Sequence, residues 1–226
     1  MLSIRRGFAV AFALSVLIGK VAEASPLSVE TNLTAVSDYR YRGLSLSDKR
    51  PALQADLTVS QANGAYVTAF ASTIDEYGQD DLGKGATVEL DYAVGWAFTR
   101  GGLDFDIAAS AYTYPGGVDV NYIELPLQVS KTAGAWTGSF GFDYAPEQHA
   151  LADSNRYVWV GLDYTSRALP VSLAARVGRE DGAFANEKTD WSLSASRESG
   201  RLKTSVTYVD SDQGAGGVVL SLGARF

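Results

Sequence analysis

The chain has 226 residues, a formal charge of −7 and no cysteine, so its fold needs no disulfide even in an oxidising compartment. An acidic chain without basic clusters is a poor nucleic-acid binder, which sets that class aside. Abundant Gly, Tyr, Trp, Thr and Ser, one Met and no long helical pattern point to one all-β domain.

The N-terminus carries Arg5 and Arg6, an apolar run from Gly7 to Ile18, and Ala22-Glu23-Ala24 ahead of Ser25. This is the pattern of a cleaved signal peptide over residues 1–24, leaving 25–226 as the mature domain. The apolar run is roughly a dozen residues, where a spanning helix needs about 20. Losing Arg5, Arg6, Lys20 and Glu23 leaves 16 basic and 25 acidic residues, a formal charge of −9.

From Leu27 onward, apolar and polar residues alternate in twelve segments, each predicted to be a strand. The first, Leu27 to Tyr39, sets Leu27, Val29, Leu33 and Ala35 against Ser28, Glu30, Asn32 and Thr34. Ala52 to Ser60 and Ala65 to Thr73 follow, joined across Asn63-Gly64, a hairpin signal. Thr87 to Phe98 opposes Val88, Leu90, Tyr92, Val94, Trp96 and Phe98 to Thr87, Glu89 and Asp91. Leu103 to Tyr114 answers it in the same period. In Tyr122 to Ser130, Pro126 predicts a bulge or local distortion, because it has no N–H to give a ladder. Trp136 to Tyr144, Arg156 to Tyr164, Val171 to Arg179, Asp190 to Arg197 and Leu202 to Val209 continue the alternation. Gly217 to Phe226 closes it, with Val218, Leu220, Leu222, Ala224 and Phe226 on one face. This last strand has no later partner, so its free edge is expected to meet the first.

The connections alternate between short and long. Gln61 to Gly64, Thr99 to Gly102, Lys131 to Gly134, Thr165 to Pro170 and Ser199 to Arg201 are tight. Gly43 to Pro51, Ile74 to Ala86, Pro115 to Asn121, Pro146 to Asn155, Glu180 to Thr189 and Ser211 to Gly217 are mostly longer and richer in Gly, Asp and Glu. An even number of antiparallel strands with tight turns at one end and long loops at the other is the pattern of a closed, up-and-down transmembrane β-barrel. A soluble sandwich or lipocalin-like barrel has the same period. Lipid on the outside is favoured by aromatics near the ends of the apolar faces, among them Trp96, Trp136, Tyr144, Tyr164 and Trp191, and by strands of spanning length. Surrounding lipid is then the partner, and a monomer suffices.

The opposite faces carry Asp56, Glu89, Asp91, Asp104, Asp106, Glu124 and Asp163 against Arg176, Lys203 and Arg225. If these line a lumen, its potential is negative and favours cations or neutral solutes over anions. Cross-barrel pairing that plugs the barrel is the other reading, because twelve strands lie between the filled eight and the open sixteen. No enzyme is indicated. The single histidine, His149, falls in a loop, and no Ser/His pair on a strand is available for nucleophilic catalysis. No cofactor is expected, and the acidic loop with Asp75, Glu76, Asp80 and Asp81 lacks the spacing of an EF-hand.

Ser37-Asp38-Tyr39-Arg40-Tyr41-Arg42-Gly43-Leu44-Ser45-Leu46-Ser47, with Pro51 and Gln54 after it, resembles the N-terminal signature of the TorF family of porins, roughly S-D-Y-x-x-R-G-x-S-x-S then P-x-x-Q. The resemblance implies the outer membrane of a Gram-negative bacterium and a pore. Phe226 is similar to the terminal aromatic that barrel-assembly machinery reads during insertion. Structurally, Tyr39 and Tyr41 are expected at the outer end of the first strand, with Gly43 giving a sharp exit. Arg42 has two readings, pairing with acidic loop residues or guarding the pore mouth. The function expected is passive diffusion of small hydrophilic solutes. A non-conducting structural or adhesive barrel and a secreted soluble binding module are the alternatives.

Overall fold

The computed structural model describes residues 27–166 and 169–226, so the expected signal peptide, residues 1–24, lies outside them. The strands are β1 (Leu27–Val36), β2 (Arg40–Tyr41), β3 (Leu44–Ser45), β4 (Ala52–Gln61), β5 (Ala65–Tyr77), β6 (Ala86–Arg100) and β7 (Leu103–Thr113). They continue with β8 (Tyr122–Ala133), β9 (Trp136–Ala145), β10 (Asn155–Tyr164), β11 (Ser172–Gly182), β12 (Lys188–Ser199), β13 (Leu202–Ser211) and β14 (Gly214–Arg225). Twelve of them form one closed antiparallel barrel, and β2 and β3 make a separate two-stranded hairpin. The barrel strands follow one another in up-and-down order. β1 closes the ring, pairing with β4 on one edge and with β14 on the other, from Asn32↔Arg225 to Val36↔Ser221.

Period-two alternation decides which side chains face out. Leu53, Val94, Val160, Leu193 and Leu220 are among the many large apolar residues left exposed on the outer face, while Tyr66, Glu89, Tyr157 and Thr207 are buried on the inner one. The barrel is therefore apolar outside and polar inside, the reverse of a soluble sandwich. Aromatic residues sit toward both rims of the outer face. At the tight-turn end Trp96 packs on Phe98 at 4.8 Å, and Trp136 on Tyr164 at 4.7 Å. Trp191 lies toward the other rim, three residues after β12 begins at Lys188.

Pro126 produces the expected irregularity. The β7–β8 ladder runs to Ile107↔Leu127 and resumes at Ser110↔Glu124, lapsing beside the residue that has no N–H.

The end of the first strand and the extent of three loops are corrected. β1 ends at Val36 rather than Tyr39, because the chain leaves the wall there and turns inward. Strand pairing extends into three of the loops expected to be long, and in the first of them β5 runs to Tyr77, which pairs with Ala86. β11 runs to Gly182 and β12 begins at Lys188, so Glu180 is a wall residue, and only residues 212–213 separate β13 from β14. Thr189 and Ser211 thus belong to strands.

Inside the barrel, the half toward the long loops is packed. Tyr112, Tyr114, Tyr122 and Leu151 form one cluster, joined by Tyr41 from the hairpin and by Val120 and Phe184 from loops. Val36, Tyr39, Val209 and Val219 form a second, joined by Leu46 and Phe70.

Candidate functional site

The hairpin of residues 37–50 enters the lumen instead of leaving it. Its turn has positive φ at both central residues, +46° at Arg42 and +86° at Gly43, as a type I′ turn requires. Gly43 meets that need without a Cβ and sits against β12 and β13 of the wall. A Cβ there would fall 2.7 Å from the Ser211 Cβ and 2.9 Å from the Asp190 Cβ. Arg42 meets it at a cost, since a left-handed conformation disfavours a residue with a Cβ by about 1 to 2 kcal/mol. Asn or Gly is the usual choice at that position. A strained arginine is held by its contacts.

Those contacts come from three strands of the wall. Arg42 Nη1 donates to Glu180 Oε1 on β11 at 2.7 Å, and Nη2 to both Glu124 oxygens on β8 at 2.8 Å and to Asp143 Oδ2 on β9 at 3.1 Å. Its Cζ lies 4.3 Å from the centre of the Tyr157 ring and 4.7 Å from that of Tyr41. Burial alone would lower the guanidinium's pKa. The carboxylates of Glu124, Glu180 and Asp143 more than reverse that and hold it above its ordinary value, so Arg42 is a permanent cation here. Burial likewise pushes the Tyr41 hydroxyl well up, so it stays protonated and donates to Glu124 Oε2 at 3.3 Å.

The carboxylates are also held from the wall itself. Glu180 accepts from Asn155 Nδ2 at 3.1 Å and pairs with Lys188 Nζ at 2.5 Å, and Glu124 accepts from the Tyr112 hydroxyl at 3.2 Å. The rest of the signature stretch fixes the hairpin. Asp38 accepts from Arg40 Nε and from Ser45 Oγ, both at 2.6 Å, while Ser47 Oγ receives the Tyr39 N–H. Arg40, buried like Arg42, donates to the Ala215 carbonyl at 2.7 Å and so ties the hairpin to β14. Tyr39 and Tyr41 are therefore lumen residues rather than outer-rim ones. Arg42 pairs with wall carboxylates rather than loop acids. Pro51 is exposed where β4 begins, and Gln54 donates to Ser72 Oγ at 3.3 Å.

The polar-face residues separate by depth. Glu89, Asp91 and Glu124 are buried in the packed layer, and both Asp91 oxygens lack a hydrogen-bond partner. Asp106 lies beneath it and accepts from the Tyr66 hydroxyl at 2.6 Å, and Arg176 lies 3.7 Å above the Trp159 ring. Asp106, Arg176, Gln128, Tyr157 and Trp159 border a cavity of about 60 Å³ under Arg42. Asp56 accepts from Asn32, Asp104 from Thr99, and Lys203 pairs with Glu198 at 3.9 Å. Asp163 is half-buried, and Arg225 is exposed at the tight-turn end. The sequence reading missed Asp143 and Glu180 as lumen carboxylates, the first left out and the second placed in a loop. Alternation was the available signal, because Asp143 is in phase with Ser139 and Glu180 with Arg176.

Glycines opposite the large inner aromatics complete the wall. Trp159 pairs with Gly141 and Gly178, and Tyr66 with Gly95. A Cβ would fall 2.0 Å from the Trp159 ring at Gly141, 2.1 Å from the Tyr157 hydroxyl at Gly178, and 2.2 Å from Tyr66 at Gly95. The rings lie flat along the wall because these positions have no side chain. His149 is exposed in its loop and contacts Asp119 at 3.0 Å.

Residues 20–219 match a family described as a bacterial protein of unknown function, Gcw_chp. The chain belongs to the Gcw_chp family. No curated protein sequence matches it. Among solved structures, it resembles the KdgM porin with a TM-score of 0.62 at 8% identity, covering 87% of this chain and 98% of that one. It resembles the NanC porin with a TM-score of 0.56 at 11% identity, covering 88% and 99%. KdgM in complex with disordered oligogalacturonate gives 0.60 at 7% identity, covering 88% and 97%. At these identities the likeness is one of fold: this Gcw_chp chain is a porin-like β-barrel.

Proposed function

We propose that this protein is an outer-membrane pore of a Gram-negative bacterium for passive diffusion of small hydrophilic solutes, preferring cations or neutral molecules. The observation that carries this reading is a closed barrel with an exposed apolar outer face around a carboxylate-rich interior. An outer surface of this kind is stable against hydrocarbon, and closure leaves no strand edge unsatisfied there. The TorF-like signature and the fold shared with KdgM and NanC support the same reading.

Selectivity follows from the inner wall. One of the KdgM structures holds oligogalacturonate, an acidic sugar chain. Here Asp106, Glu124, Asp143 and Glu180 face inward against Arg42, Arg176 and Lys188, and the acidic excess of the mature chain as a whole disfavours polyanions. Insertion is assigned to the barrel-assembly machinery acting on the β14 terminus, and the working unit is a monomer.

Single-channel recording of pure refolded protein in planar bilayers tests the pore, with discrete conductance steps as the expected result. The packed outer half of the lumen favours a second reading, a non-conducting structural barrel. An absence of steps would establish that one instead.

A further inference from the structure

Arg42 can be separated in thought from the cage that holds it. Glu180 is oriented by Asn155 and Lys188, and Glu124 by Tyr112, all of them groups of the barrel wall. Tyr157, also from the wall, presents its ring to the guanidinium face and is fixed by donating to Asp190 Oδ1 at 3.0 Å. Without Arg42, the wall would keep three converging carboxylates and an aromatic face, with Lys188 on the far side of Glu180. The spacing of these groups suits a flat cation with N–H donors on two edges, which a spherical ion or a quaternary ammonium lacks. The present occupant reaches the cage only through a strained turn at the tip of an inserted hairpin.

We propose that the cage of Glu124, Asp143, Glu180 and Tyr157 is a binding site for small guanidinium-bearing solutes, occupied in the resting barrel by Arg42 as an internal stand-in. This deepens the cation preference proposed above and rests on that reading for its role in transport. A solute arriving from the long-loop side competes with a tethered side chain, whose effective concentration is of millimolar order or higher. Exchange frees the hairpin tip and opens the packed half of the lumen. The solute is thus the key to its own path.

The test is calorimetric titration of detergent-refolded protein, wild type and Arg42→Ala, with guanidinium chloride and with tetramethylammonium chloride. R42A is expected to bind guanidinium at least ten-fold more tightly than it binds tetramethylammonium, and ten-fold more tightly than wild type does. Adding Glu124→Gln to R42A should remove that preference. Equal binding of the two cations by R42A, or a preference that survives E124Q, overturns the proposal. If R42A does not refold alone, rescue of its refolding by millimolar guanidinium but not tetramethylammonium supports the site, and equal yields with the two salts overturn it. Binding in detergent needs no conduction, so a silent bilayer recording sinks the pore and leaves this result standing.

Discussion

Arg42 Nη1 lies 2.7 Å from Glu180 Oε1, a contact that spans 138 positions of sequence. It joins the tip of an inserted hairpin to β11, four strands round the ring from the β1 strand that leads into it. The pair is buried at both ends, at 2% side-chain exposure each. Breaking it leaves charge in a place that water reaches poorly.

Arg42→Ala is therefore expected to destabilise the barrel by about 3 to 5 kcal/mol, the range for removing one partner of a buried ion pair. Urea unfolding in detergent micelles measures it. An effect below 1 kcal/mol would mean that the cage is well hydrated in solution.

In a KCl gradient across a planar bilayer, the wild-type reversal potential should have the sign of cation preference. Any R42A pore should shift further in that direction, since the variant loses a positive charge in the constriction. Anion selectivity in the wild type would contradict the electrostatic reading of the wall.

Gly178→Ala places a methyl group where the Tyr157 ring lies, and that ring also stacks on Arg42. Overpacking of this kind costs about 1 to 3 kcal/mol. Thermal unfolding should show the loss, and Ala substituted at Gly138, which has open space around its Cβ, should not.

Val94 is exposed near the middle of β6 on the apolar face. If that face meets lipid, Val94→Arg costs about 2 to 4 kcal/mol at the bilayer midplane. Folding into lipid vesicles reads the difference, and an unchanged yield would argue against membrane placement.

Deleting Phe226 is expected to impair insertion in cells more than any pore property, because the residue is exposed just past the end of β14. Its N–H bond to the Thr31 carbonyl is one ladder contact among many. Normal levels of the truncated barrel in outer-membrane fractions would remove its role as an assembly signal.

Alternation by itself determined the number of barrel strands and divided each into an apolar and a polar face, the loop lengths gave their up-and-down order, and the apolar face was placed outside only by burial in the closed barrel. A two-residue period is local, and a strand that is apolar on one face allows one inward choice. Pro126 was legible for the same reason, since a missing N–H disturbs a ladder wherever it lies. The destination of residues 37–50 was not. Tyr39, Arg40, Tyr41 and Arg42 alternate as the strand before them does, so they read as its outer end, and a polar loop beyond a strand end reads as leaving the barrel. β8, β9, β10 and β11 are consecutive neighbours, and only the closed barrel brings the hairpin that follows β1 across to them, where Glu124, Asp143 and Glu180 together offset the desolvation of a buried guanidinium. The signature was visible as a string of residues. Its meaning as an inserted hairpin, with Arg42 filling the cage, came from charges that meet only across the folded barrel.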